Sequence, residues 1–136
     1  AGKQPAHVKK DVPGFIGNRL QHALWREAIS LVERGICDAE TVDKVIKAAF
    51  GRRIAVLGPL ENADLVGTDL TLAIHKTVLP DIDRRPGPSP YLERLVAEAE
   101  LGFKSGEGFR KWSAGEQAAL RSKVLQHLKK ARESDA

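Results

Sequence analysis

The chain has 136 residues, of which 42% are hydrophobic and 29% charged, with a formal net charge of +4. These values are typical of a single globular domain; they exclude a disordered chain and indicate no dedicated nucleic-acid binder. A single cysteine, Cys37, excludes an internal disulfide and disfavours a secreted, disulfide-stapled fold, so we expect a cytoplasmic protein. No apolar run approaches the ~18 residues of a transmembrane helix, so no membrane partner is expected. The chain contains no methionine, and we expect it to be a processed or excised part of a longer protein.

The first long element is a predicted helix over about residues 15–34, which follows a turn at Pro13-Gly14. Its apolar residues recur with helical spacing on two nearly opposite faces. One face carries Ile16, Leu20, Ala23, Leu24, Ala28 and Leu31, and the other carries Trp25, Ile29 and Val32. A helix with two apolar faces is expected to lie between other elements.

Three further helices are predicted before residue 80. Gly35 and Asp38 are good end and start signals, so a second helix should cover about 39–50. Pro59 suits the first position of a third helix. A fourth helix should restart near Thr68 and continue to about residue 79.

The C-terminal part alternates between loops and helices. Residues 80–90 hold four of the seven prolines, which predicts an extended connection. Helices are then predicted over about 91–100 and 114–132, separated by a glycine-rich loop at 101–113. Residues 5–10 alone could form a short strand. The sequence therefore predicts an all-α domain of five or six helices.

The sequence contains few of the motifs that are typical of catalytic or metal sites. The four histidines show no i, i+4 pairing, and no cysteine or acidic cluster completes a ligand set, so no metal site is expected. The hydrolase nucleophile elbow and the Walker phosphate loop are both absent. Basic pairs such as Arg52-Arg53 and Arg84-Arg85 are spread through the chain, and we interpret them as solvated helix ends and loops. No nucleic-acid partner is expected.

Three polar features carry more information. Asn18 lies near the start of a helix that is apolar on both sides; its amide could serve a ligand or bond a neighbouring loop. Lys104 precedes the glycine-rich run 105–108, where it could approach a phosphate or ribose or remain a solvated loop lysine. Gly58-Pro59 precedes an acid and forms a good helix N-terminus.

Taken in order, these segments resemble the C-terminal domain of the L-3-hydroxyacyl-CoA dehydrogenase family. The opening matches a G-F-x-x-N-R helix start, through Gly14, Phe15, Asn18 and Arg19. The middle matches a G-P-x-E-x-x-D-x-x-G-x-D segment, through Gly58, Pro59, Glu61, Asp64, Gly67 and Asp69. The end matches a proline-rich P-x-L step at 90–92 and a G-x-K-[ST]-G-x-G-F segment at 102–109. The resemblance covers about residues 2–112.

The resemblance implies a two-domain enzyme with a fold like that of 6-phosphogluconate dehydrogenase. In that family a Rossmann domain binds NAD and carries a catalytic His–Glu pair, and a helical C-terminal domain completes the substrate cleft. Residues 1–12 then look like the remnant of the last Rossmann strand and its linker, and residues 13–136 like the helical substrate and dimerisation domain. No glycine fingerprint occurs here, and none of the histidines matches the catalytic position: His7, His22, His75 and His127. The chain alone is therefore expected to be inactive.

The resemblance also assigns roles to single residues. Asn18 matches the asparagine that hydrogen-bonds the substrate and helps to position the catalytic histidine. Lys104 matches the lysine that reaches the NAD cofactor, and Gly58 and Pro59 match the loop that borders the acyl pocket. The implied partners are an acyl-CoA substrate, the protein's own Rossmann domain and a second copy of the chain.

Two alternatives stay open at this point. Relatives similar to L-gulonate 3-dehydrogenase and to crystallins share much of the pattern, and their substrate is a sugar acid. The chain could also be a non-catalytic helical module that associates with itself through the apolar faces around 70–78 and 15–32.

Overall fold

The computed structural model describes residues 4–134, which form an all-helical chain. The described residues contain no strand; a short 3-10 turn, Phe50–Arg52, follows the second helix. Every helix that the sequence predicted is present. The helices are α1 (Gly17–Glu33), α2 (Ala39–Ala48), α3 (Pro59–Val66), α4 (Thr68–Val78), α5 (Pro90–Ala97) and α6 (Ala114–Ser134).

The helix ends follow from local hydrogen bonds. The Asp38 carboxylate accepts a 2.7 Å bond from the backbone N–H of Thr41 and so begins α2. Hydrogen bonding to the Thr41 side chain, and then to its backbone N–H, lowers the pKa of Asp38. Before α6, the Ser113 hydroxyl accepts from the N–H of Glu116 at 3.1 Å, and the Glu116 carboxylate accepts from the N–H of Ser113 at 2.8 Å. This reciprocal pair satisfies two N–H groups that the first helical turn leaves without partners.

The chain divides into two compact units. One comprises the described residues up to Leu20 together with those from Glu93 onward, and the other comprises Gln21–Leu92. Asn18 and Lys104 belong to the first unit, and Gly58 and Pro59 belong to the second.

The described residues bury few apolar side chains. Val42 on α2 and Leu95 on α5 are the buried hydrophobic residues among them. In α1, the part from Glu27 to Glu33 is buried or half-buried, whereas Leu20 and Trp25 are 58% and 46% exposed. The expectation that α1 lies between other elements is therefore wrong for its N-terminal part, because no described element covers that face.

The N-terminal segment adopts no regular structure within the described residues. Residues 4–12 form neither a helix nor a strand, so the short strand considered for 5–10 is not formed. Residues 1–3 of the segment predicted as a strand remnant, and the last two residues of the predicted helical domain, lie outside the described residues. The division at residue 12 stays a prediction.

No helix in the described part of the chain is both long and apolar enough to cross a membrane.

Candidate functional site

Asn18 lies in the first turn of α1, directly after a tight backbone turn. Gly14 and Phe15 both have positive φ angles, 79° and 52°. A Cβ on Gly14 would lie 3.4 Å from the Asn18 Cβ and 3.3 Å from Cγ of Arg19. Arg19 in turn donates a 3.3 Å bond to the carbonyl of Pro13. Phe15 thus adopts a backbone conformation that is rare for a non-glycine residue, and its N–H donates to the carbonyl of Val12 at 3.0 Å.

The Asn18 side chain is exposed, and its amide makes no hydrogen bond to any other residue that the structure describes. The bond to a neighbouring loop, which was the alternative interpretation of this residue, is therefore not formed. An amide on a fixed helix start, with its donor and acceptor both available, is suited to orient a polar ligand.

Lys104 lies on a compact loop that backbone bonds close. Gly102 and Lys111 each form a β-bridge with Glu107. The Ser105 hydroxyl accepts from the N–H of Leu101 at 2.8 Å and donates to the carbonyl of Glu107 at 2.8 Å. These bonds hold the backbone on both sides of Lys104.

Glycine is required where this loop crosses itself. A Cβ on Gly108 would lie 2.8 Å from Cα of Gly102, and Gly102 itself has a φ of 72°. A side chain at position 108 would therefore clash with the backbone, and one at position 102 would strain it. The glycines that the sequence suggested for phosphate approach serve first to close the loop.

Aromatic contacts attach the loop to its surroundings in the first unit. The rings of Phe103 and Trp112 meet edge to face with centroids 4.9 Å apart. The guanidinium of Arg110 lies 3.8 Å from the Trp112 ring centroid, and that of Arg121, on α6, lies 5.1 Å from that of Phe103. Lys104, between these anchors, is exposed and forms no ion pair with a described residue. An exposed ammonium of this kind is chemically able to bind a phosphate group.

In the second unit, Gly58 caps the start of α3 and Pro59 is its first residue. Pro59 borders a cavity of about 330 Å³, whereas Gly58 does not line it. The backbone N–H of Gly58 donates a 2.7 Å bond to the Glu61 carboxylate. The cavity is lined mainly by apolar side chains, with one guanidinium and one amide: Phe50, Arg53, Ile54, Leu57, Pro59 and Asn62.

Sequence reasoning missed Arg53, which it grouped with Arg52 as part of a solvated basic pair. Arg53 lines the cavity and Arg52 does not. Nothing in the sequence separates these two arginines, because the difference arises from the 3-10 turn that follows α2.

A second missed feature is a charged network between the C-terminal part of α1 and the proline-rich connection. Arg85 contacts both carboxylate oxygens of Glu33 and also bonds Asp83, at 2.7 Å. The bonds from Arg85 lower the pKa of Asp83 to about 2, and they also lower the pKa of Glu33. The Ser89 hydroxyl donates to Glu33 at 3.2 Å. Arg85, interpreted from the sequence as a solvated loop residue, is 39% exposed but also forms ion pairs with these two carboxylates.

No group of three or more potential metal ligands lies together in the part of the chain that the structure describes.

Comparison with known proteins places the chain in a family. Residues 14–112 match the family model described as 3-hydroxyacyl-CoA dehydrogenase, C-terminal domain. This match covers most of the chain, and the chain belongs to that family. The resemblance drawn from the motifs is confirmed.

Individual relatives differ in their named substrates. The chain is 36% identical over 93% of its length to a 5-formyl-3-hydroxy-2-methylpyridine 4-carboxylate 5-dehydrogenase from Mesorhizobium japonicum, covering 41% of that protein. It is 42% identical to the human mitochondrial hydroxyacyl-coenzyme A dehydrogenase, over 82% of this chain and 35% of that protein.

A crystal structure supports the fold. It is that of a 5-formyl-3-hydroxy-2-methylpyridine 4-carboxylic acid 5-dehydrogenase, described as an NAD+ dependent dismutase. It superimposes with a TM-score of 0.90 and 36% identity, over 96% of this chain and 42% of that one. The chain thus spans about two fifths or less of the length of these relatives.

Proposed function

We propose that the chain is the substrate-binding and dimerisation domain of an NAD-dependent L-3-hydroxyacyl-CoA dehydrogenase of fatty-acid metabolism. The enzyme would oxidise a 3-hydroxyacyl-CoA to the 3-oxoacyl-CoA. The observation that carries the proposal is the family match over residues 14–112, which includes all four candidate residues: Asn18, Gly58, Pro59 and Lys104.

Asn18 would orient the substrate. In the oxidation, the hydroxyl proton passes to a base while a hydride leaves the carbon that bore it. The amide of Asn18 can donate to one substrate oxygen and accept from another group, which holds the reacting atoms in line. Its exposure on α1 and its lack of a hydrogen-bond partner among the described residues support this role.

Lys104 would contact the cofactor. NAD, when bound, supplies the hydride acceptor. The Lys104 ammonium, exposed on a loop closed by Ser105 and Gly108, can neutralise a phosphate without a large change in the loop backbone. Most of the NAD contacts would come from the Rossmann domain, which is also proposed to supply the catalytic histidine.

The exposed apolar surface supports association with a second copy. Large apolar side chains that recur every fourth residue along one face of α4 are about half exposed: Leu70, Ile74 and Val78. Contiguous exposed apolar surface of this kind is typical of an interface. We therefore propose a homodimer in which α4 contributes to the contact. A cytoplasmic location stays a prediction.

A second candidate substrate class is a hydroxy acid without CoA, such as L-gulonate. The name of the Mesorhizobium relative, which specifies a pyridine carboxylate, favours this candidate. The third possibility, a non-catalytic self-association module, requires only the apolar surfaces and makes no use of Asn18 or Lys104.

The test is NAD reduction by the full-length enzyme with 3-hydroxybutyryl-CoA and with L-gulonate. We expect turnover with the CoA ester and none from the 136-residue chain alone. Turnover of L-gulonate alone would favour the second class of substrate. Inactivity of a folded, NAD-binding full-length protein with both compounds would support the non-catalytic module.

A further inference from the structure

The cavity beside Pro59 is lined by an exposed cation, Arg53, that the proposed reaction does not use. Of the six residues that line it, Arg53 is the charged one, and there is no carboxylate among them. The Arg53 guanidinium forms no ion pair and donates no hydrogen bond to any described residue. Arg85 and Arg34, in the same unit, each bind a carboxylate.

The backbone around Arg53 is tightly wound, so the position of this residue is defined. The N–H of Arg53 donates to the carbonyl of Phe50 at 3.0 Å, and the Arg53 carbonyl accepts from the N–H of Leu57 at 2.8 Å. A Cβ on Gly51 would lie 2.6 Å from the Ile46 carbonyl oxygen, so the turn lies directly against the end of α2. A bulky residue at position 51 would displace it.

The nearby acid does not compensate the charge of Arg53. Glu61 directs its carboxylate to the Gly58 N–H at the start of α3, and Glu61 does not line the cavity. The first turn of α3 therefore already has its negative group. An anion in the cavity would be attracted by Arg53, with Asn62 as a second polar contact.

The size of the cavity limits what can enter it. Its volume of about 330 Å³ is near the lower end of the roughly 300–1,000 Å³ found for small-molecule sites. Phe50, Ile54 and Leu57 provide apolar walls. The space suits a short chain or a single ring that carries one polar end.

From this arrangement we infer that the cavity is a carboxylate subsite: it binds the apolar body of a small acid, whose carboxylate pairs with Arg53. The inference rests on the proposed function only in identifying this acid with part of the substrate. The substrate would then bear a carboxylate, either as the far end of a dicarboxylic 3-hydroxyacyl-CoA or as a free hydroxy acid.

Binding can be tested on the 136-residue chain without NAD or turnover. Titration of ¹⁵N-labelled chain with benzoate, followed by amide chemical shifts, should perturb residues 50–62. Benzamide has the same shape without the charge and should bind at least about fivefold more weakly, since a guanidinium–carboxylate contact is charge-assisted and partly exposed.

Two adjacent arginines provide a matched control. Arg53→Gln should remove the preference for benzoate, whereas Arg52→Gln, with the same loss of charge, should retain it. Ile54→Trp places a ring in the cavity from an exposed position and should block both probes. Equal binding of benzoate by the wild type and by Arg53→Gln, or equal binding of benzoate and benzamide, would overturn the inference.

The full-length enzyme then distinguishes the two sources of the carboxylate. Arg53→Gln should lower kcat/KM at least about fivefold for a dicarboxylic 3-hydroxyacyl-CoA or for L-gulonate, and leave 3-hydroxybutyryl-CoA little changed. The compound that shows the loss identifies the source. If neither compound shows it, the cavity is not a substrate subsite. Benzoate binding without any enzyme activity would instead contradict the proposed function and leave the carboxylate site intact.

Discussion

Arg85 and Glu33 are 52 residues apart in the chain, yet both outer guanidinium nitrogens of Arg85 contact the Glu33 carboxylate. The Asp83 carboxylate, whose side chain is 5% exposed, accepts from the same guanidinium. The backbone N–H of Asp83 donates a further bond to the Glu27 carboxylate at 2.7 Å. Together these contacts attach the proline-rich connection to the C-terminal part of α1, which is where the helix is most buried.

This network predicts a loss of stability in acid. The folded pKa of Asp83 is about 2, below its ordinary 3.8, and that of Glu33 is also lowered. A lowered carboxyl pKa contributes stability that is complete above the ordinary pKa and is lost as pH falls toward the folded value. The urea midpoint should therefore fall between about pH 5 and pH 2.

Arg85→Gln tests the origin of that pH dependence. The variant should be less stable than the wild type at pH 7, and its urea midpoint should depend less on pH. Arg84→Gln, an exposed neighbour, is the control and should leave the pH profile unchanged. A profile for Arg85→Gln that parallels the wild type would show that the network does not cause the acid transition.

Gly51→Ala should destabilise the turn that carries Arg53. The new Cβ would lie 2.6 Å from the Ile46 carbonyl oxygen, so the backbone has to move. A cost of about 1–3 kcal/mol is expected from overpacking of this kind. Gly115→Ala, within α6 and with the nearest atom at 3.9 Å, should instead stabilise by about 0.5–1 kcal/mol. Urea unfolding of both variants measures the difference; equal effects would contradict the close approach.

Asn18→Ala should lower the turnover of the full-length enzyme by about 10²–10³ while its NAD affinity is unchanged. The reason is that the amide would act on the substrate oxygens and not on the cofactor. Gln21→Ala removes an exposed amide one turn further along α1 and serves as the control. Single-turnover kinetics separate chemistry from product release. A normal rate for Asn18→Ala would remove this residue from the site.

Lys104→Ala should weaken the binding of NAD and leave the rate of the chemical step unchanged. We expect a weaker Kd for NAD in the full-length enzyme, by about fivefold to tenfold, because one partly exposed phosphate contact is lost. Lys111→Ala, at the other end of the same loop, should bind NAD normally. Calorimetric titration measures both constants. Indistinguishable constants for the two variants would assign Lys104 to the solvated loop lysines.

Ile74→Lys should disrupt the proposed dimer. Ile74 is 47% exposed on α4, and a charge there would have to be desolvated in an apolar contact. Sedimentation velocity of the 136-residue chain should show the mass of two chains for the wild type and of one for the variant. Asp43→Lys, exposed on α2, adds a positive charge at a position outside the proposed contact and should stay dimeric. A monomeric wild type would contradict the homodimer.

Local signals in the sequence were sufficient to locate the helices. These signals act over only a few residues, so their effect can be predicted from the sequence. They are Asp38 as an N-cap, Pro59 at a first helical position and the prolines of 80–90. Asn18 and Lys104 were identified from motifs and lie on the predicted elements. Their roles stay predictions, because those roles depend on contacts with the substrate, with NAD and with the proposed Rossmann domain.

Arg53 and Arg85 could not be singled out in the same way. Each is the second arginine of a basic pair, and their neighbours Arg52 and Arg84 have the same charge and almost the same sequence context. What separates them is the direction in which the backbone turns after α2 and the return of the proline-rich connection to α1.

The amino-acid sequence by itself determined that this chain is helical, mildly basic and a member of a dehydrogenase family, since periodicity, charge and motifs are local or ordered properties of a chain. Only the tertiary structure decided which arginine lines a cavity, which arginine joins a partly buried network, and that α1 leaves its N-terminal apolar face uncovered. Those properties depend on contacts between residues far apart in sequence, and such contacts form when the chain closes on itself.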